Sequence, residues 1–359
     1  PPANGFVHFA MGMIYDHEHN RLAAAKSFQE TIKVLSPSRS QWRYAAERLR
    51  DWDALSPEAE QREKRVFGSP LLDWGPKGQR FVDWMRTHGY QLWSSEYDGS
   101  NLDLGDIGTL VIIYDGETRP PYSTADLRAW VAHGGRLLVM CQAFTHSTGW
   151  GGGVQPRSHS IDQTLNWLLY AFDMGMEPAG GWSTAKDPLL NIATTSHPLI
   201  KDTESFEYIG EWRPLECAPE DAVLRLTAGN GREGPVVMAA KEFGLGRVAV
   251  TTLRDWYPAG GFRLIGDFIR ELGEWEDPLL SDTMTWLTAP QSDPDKERIA
   301  NQCARAWHAR AESARTSQAF RYRESFNSIE RYPGLWGQEA RYLVARMAFR
   351  NRQARGSIA

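Results

Sequence analysis

The chain has 359 residues, 42% hydrophobic and 24% charged, an ordinary globular composition with room for one sizeable core and smaller helical units. Its formal net charge of −5 argues against a nucleic-acid partner, and no run of 18 apolar residues offers a membrane span. Cys141, Cys217 and Cys303 are far apart and show no CxxC or Cys/His spacing, which excludes a disulfide framework and a metal site from the readings; no cofactor motif occurs.

The first 50 residues read as helices. An apolar helix is followed by a polar turn at Asp16–Asn20 and an Ala-rich helix that ends before Pro37. Ala10, Gly12, Ile14, Tyr15, Ala24, Ala25, Phe28 and Ile32 fall near a tetratricopeptide pattern. Small residues there let two helices approach, while aromatics fill the gap to the next pair. One such hairpin cannot bury its own face and needs neighbours. The His17-Glu18-His19 triplet reads as the turn between helices and not as a metal site. The sequence begins Pro-Pro-Ala without a signal peptide, so compartment stays open between cytoplasm and periplasm.

Residues 51–69 are a charged connector with some helical character. Residues 70–276 then alternate strand and helix patterns. "IGTLVIIYDG" and "RLLVM" are continuous apolar runs, as expected of strands buried on both faces. Between them, "STADLRAWVAHGG" opens on a Ser/Thr cap and closes at glycine. "PVVMAAKEFGLGRVAVTTL" reads as a hairpin with its tight turn at Phe243–Gly246 and Gly246 supplying the unusual backbone angles. The alternation predicts an α/β fold with a doubly wound, mostly parallel sheet. Residues 277–359 return to helices, with a break at Tyr332-Pro333-Gly334. From Asp293 onward 13 Lys and Arg face 7 Asp and Glu, a basic end that reads as a solvated helix face or a contact to the acidic body.

Four stretches, "LVIIYDG", "TADLRAWVAHGGRLLVM", "SHPLIKDTESFEY" and "PVVMAAKEFGLGRVAVTTLRDW", together resemble the class I glutamine-amidotransferase-like fold. The similarity is greatest to its non-amidotransferase branch, which is flavodoxin-like. The resemblance spans 70–276; the helical ends resemble tetratricopeptide repeats more weakly. It implies a catalytic Cys on a strand-to-helix elbow and a His-x-Glu after a late strand. Cys141 follows the expected strand, but "MCQAFTH" lacks the small residues that flank an elbow. Thr252, Leu253, Arg254 and Asp255 stand where the His-x-Glu would be, and a guanidinium is no general base at neutral pH. His146 and His159 remain as substitute bases for Cys141.

Ligands of open parallel sheets bind outside the carboxyl ends of the strands. The candidates there are Asp115, Glu117, His146, Trp150, Arg254, Asp255 and Trp256. Aromatics mixed with carboxylates and Arg suit a carbohydrate or peptide ligand; the charged members are equally readable as a structural ion-pair cluster. The broken triad and the helical ends favour a non-catalytic interaction or assembly module that meets a protein partner through its terminal helices. The alternatives are a cysteine or carboxylate hydrolase or transferase at the rim, and a carbohydrate-binding accessory domain.

Overall fold

Four helices open the chain: α1 (Pro2–His17), α2 (Arg21–Val34), α3 (Ser40–Asp51) and α4 (Pro57–Lys64). The computed structural model describes residues 2–37, 39–69, 76–93, 102–114, 122–141, 165–177, 181–183, 190–203, 206–208, 210–227, 233–253, 278–316 and 321–356. Asn20 caps α2 by accepting from the Ala23 amide at 3.2 Å, and Ser56 caps α4 by accepting from that of Ala59 at 3.3 Å. The first three helices and the start of α4 bury a core of their own, built on Phe28, Ile32, Trp42, Ala45, Ala46 and Leu49. Full burial of a side chain such as Phe28 is worth about 2–3 kcal/mol. The α1–α2 pair closes tightly because glycines face it. A β-carbon on Gly12 would fall 2.4 Å from the Phe28 ring.

The strands are β1 (Val66–Gly68), β2 (Gln91–Leu92), β3 (Thr109–Tyr114), β4 (Arg136–Cys141), β5 (Gly175–Met176), β6 (Gly181–Ser183), β7 (Leu190–Thr194), β8 (Phe206–Tyr208), β9 (Gly210–Trp212), β10 (Leu215–Glu216), β11 (Ala222–Thr227), β12 (Glu233–Phe243) and β13 (Gly246–Thr251). The fold is mixed α/β. Along the main sheet the order is β2-β1-β3-β4-β13-β12-β11-β7-β8. The first five strands are parallel to one another. From β13 onward every pairing is antiparallel. The short strands β5 and β10 attach to the side of β12, and β6 pairs with β9 apart from the main sheet.

Alternate residues of the parallel strands feed two cores. Leu110, Ile112, Leu137, Val139, Val248 and Val250 face one side. Val111, Leu138, Met140 and Ala249 face the other. Helix α6 (Thr124–Ala132), capped by Ser123 accepting from the Asp126 amide at 3.1 Å, covers the first side. Helices α5 (Pro76–Thr87) and α7 (Pro278–Thr288) cover the second with Val82, Trp84, Met85, Leu280, Met284 and Leu287. Burial on both faces is what a continuous apolar run specifies.

Three boundaries differ from the sequence reading. Strand β1 lies inside 51–69, so part of that connector belongs to the sheet. It escaped notice because three residues carry no period, and Val66 and Phe67 point into different cores. Helices α8 (Pro294–Thr316), α9 (Arg321–Ile329) and α10 (Leu335–Gly356) do not form a separate unit at the end of the chain. Ile299, Cys303, Trp307, Phe326, Ile329 and Leu343 join the same core as Leu110 and Leu127. In the β12–β13 hairpin the positive φ, +65°, belongs to Gly244 and not to Gly246. Gly246 is required for a different reason, since a β-carbon there would lie 2.1 Å from the Val131 carbonyl oxygen.

Candidate functional site

Strands β3, β4 and β13 are neighbours, with Tyr114 opposite Cys141 and Met140 opposite Thr251. Their carboxyl ends therefore lie side by side at one edge of the sheet. Cys141 is the last residue of β4. Asp115, Glu117, His146, Trp150, His159, Arg254, Asp255 and Trp256 lie outside the described residues. Beyond β13, the two positions that precede Arg254 are packed shut. Thr252 is fully buried; its hydroxyl donates to the Arg213 carbonyl at 2.5 Å, and its backbone N–H donates to the Val237 carbonyl at 2.9 Å. Leu253 is buried beside it. A hydroxyl spent on a backbone carbonyl offers no base.

The other two cysteines differ in exposure, Cys303 buried and Cys217 half-buried. Burial pushes the Cys303 thiol up, within the core under α8, and burial and Asp221 push up that of Cys217. His197, part of the "SHPLIK" stretch, is a structural ring. Its Nδ1 accepts from the Leu199 amide at 3.0 Å, and it sits edge-on to Trp286. Burial lowers its pKa below the ordinary histidine value. Among the described residues, no group of His, Cys, Asp and Glu could hold a metal ion. No described helix is long and apolar enough to cross a membrane.

The opposite edge, at the strands' amino ends, carries charges that the sequence reading did not single out. Arg136 opens β4 and lies opposite Thr109 and Arg247 in register. Arg247 has its guanidinium fully engaged, donating to the Trp286 and Ala289 carbonyls at 2.6 and 2.9 Å and to Glu242 at 3.1 Å. Arg136 donates to the Gly134 carbonyl at 3.0 Å. Burial brings the Arg136 pKa down to about 10, so it keeps its charge at neutral pH. Around it, Lys64 pairs with Glu297, Arg43 with Asp106 at 2.6 Å, and Arg50 with Glu63 at 2.5 Å. Arg43, Glu63, Lys64, Asp106 and Arg136 line a cavity of about 70 Å³ between α4, α8 and the sheet, with Arg50 and Glu297 outside its lining. Burial, reinforced by the Arg136 charge, pulls the Lys64 ammonium below the ordinary lysine value. The only hint in the sequence is an Arg at the head of an otherwise apolar strand, "GGRLLVM".

A third feature lies on α1. Gly5 and Gly12 face α2, while Phe6, Val7, Ala10, Met11, Met13 and Ile14 point outward. Val7 is 61% and Ile14 50% exposed. Positions 7, 11 and 14 share one face at helical spacing. A helix that is apolar on its outer face as well as its inner one is normally covered on both.

No family model and no curated protein matches the chain. Among solved structures it is similar to a β-galactosidase from Rahnella sp. R3, at 13% identity over 60% of this chain and 32% of that one, with a TM-score of 0.32. It is also similar to the mmIFT52 N-terminal domain, at 13% identity over 64% and 99% of the two chains and a TM-score of 0.39. A ThuA-like protein from Parabacteroides merdae gives 12% identity over 64% and 93%, with a TM-score of 0.38. The chain spans about a third of the length of the β-galactosidase. Likeness at this level decides neither fold nor function.

Proposed function

We propose that the chain is a non-catalytic interaction or assembly module, built on a doubly wound α/β domain of the amidotransferase-like kind and docking a partner protein's helix on α1. The carrying observation is the outward face of α1, where Val7, Met11 and Ile14 form an apolar stripe beside Phe6 and Met13. In a stacked helical array of the tetratricopeptide kind, such a face belongs between helices; terminal helices of these arrays are polar outside. An amphipathic helix would lay its i, i+3, i+4 and i+7 residues along the stripe. The buried Thr252 hydroxyl supports the non-catalytic half of the reading, because it fills a position where the resemblance expects a proton acceptor.

The test places a photo-crosslinking residue at Ile14 of the full chain in its own cells, with exposed Lys26 as the control position. A discrete adduct at Ile14, absent at Lys26 and abolished by Met11→Glu, is expected. No adduct at Ile14, or one indifferent to Met11→Glu, overturns the reading. Turnover abolished by Cys141→Ala would replace it with the hydrolase alternative.

A further inference from the structure

Among the described residues, the charges that line the cavity at the amino edge of the sheet each have an ion-pair partner, in the wall or outside it, with one exception. Asp106 takes Arg43, Glu297 takes Lys64 and Glu63 takes Arg50. Glu60 lies 4.0 Å from Arg50 and accepts from Asn301 at 3.3 Å. Among the described residues no carboxylate lies within ion-pair distance of Arg136, on which Glu297 and Glu63 act only from further away. Arg136 is 7% exposed and gives one hydrogen bond, to a neutral carbonyl of its own turn. A guanidinium carries five N–H donors, and a buried charge needs a partner to match its lost hydration. Arg247, its neighbour across β4–β13, has three acceptors for the same need.

We propose that this cavity is a binding site for a small tetrahedral oxyanion of phosphate or sulfate size, held by the Arg136 guanidinium with Lys64 beside it. The volume of about 70 Å³ has room for roughly five water-sized oxygens, enough for the four of such an anion. The planar fork of Arg matches two oxyanion oxygens at once, and the carboxylates of the site, each already accepting from a donor, leave the remaining Arg136 N–H groups without a competing acceptor. The entrance is on α8, where Ala304 is exposed and Asn301 and His308 are half-buried. The site is independent of the α1 docking face.

The experiment follows the thermal midpoint of the full chain while chloride is replaced by inorganic phosphate, and separately by sulfate, at constant ionic strength. A saturable rise with either anion, lost in Arg136→Gln, is expected. Should Arg136→Gln fail to fold, Ala304→Phe decides, because it plugs the entrance and leaves the buried guanidinium in place; the rise is lost there too. A midpoint indifferent to both anions overturns the proposal. So does a rise that survives Arg136→Gln or, where that variant does not fold, Ala304→Phe.

Discussion

Trp307 donates its indole N–H to Nδ1 of His133 at 3.1 Å, and the other ring nitrogen of His133 meets the Trp336 carbonyl at 2.9 Å. An indole nitrogen only donates, so Nδ1 is an acceptor and the proton sits on Nε2. One neutral imidazole thus ties α6 to both α8 and α10.

Burial lowers the His133 pKa from 6.5 to about 4. The unfolded chain takes up the proton first, so this group's contribution is complete above pH 6.5. It is lost as pH falls toward 4, where it has cost on the order of 3 kcal/mol. Urea unfolding followed across that window should show stability falling with acidification. His133→Gln should flatten that part of the profile.

Trp307 is almost fully buried in the core shared by the sheet and the C-terminal helices. Trp307→Ala should cost about 3–5 kcal/mol by leaving a cavity, and the loss should be global. Phe28→Ala should cost a similar amount locally, since Phe28 belongs to the separate N-terminal core. Hydrogen exchange distinguishes them. In Phe28→Ala, α1 to α3 lose protection while β3 and β4 keep theirs.

Arg43 on α3 reaches the buried Asp106 at 2.6 Å and also donates to its backbone carbonyl. Removing one partner strands a buried charge, so Arg43→Met or Asp106→Asn should each destabilise the N-terminal helices' attachment by about 3–5 kcal/mol. The double variant should lose clearly less than the sum, which a double-mutant cycle in urea reads directly.

At pH 7 a thiol reagent should leave Cys303 unmodified until the protein unfolds, because its thiol is buried and its pKa raised. Cys217, half-buried and raised by burial and Asp221, should react more slowly than a free thiol. Mass mapping after brief native labelling checks both.

Strands β3 and β4 were legible because their apolar runs declare burial on two faces, and α6 because Ser123 and Gly134 mark its ends. The cover of the sheet was not. The stripe on α8 that seats Ile299, Cys303 and Trp307 is the same whether a helix lies on a sheet or on another helix, so sequence alone assigned it to a repeat. The rim candidates rested on strand ends, and the pairing of Tyr114 with Cys141 brings two of those ends together. Arg136 stayed hidden because its role follows from which acceptors remain in space, a quantity no spacing along the chain records.

The two ends of the chain are fastened by different physics. At the C-terminus, hydrocarbon is shared with the sheet, and any change must be answered across the joint. At the N-terminus the seam is sewn by Arg43 and Lys64 reaching across a boundary between separate cores. Such a seam can be copied onto another helical unit by transplanting a handful of polar side chains. That makes the N-terminal unit the exchangeable part of this molecule, the place where recombination could give the same body a new attachment.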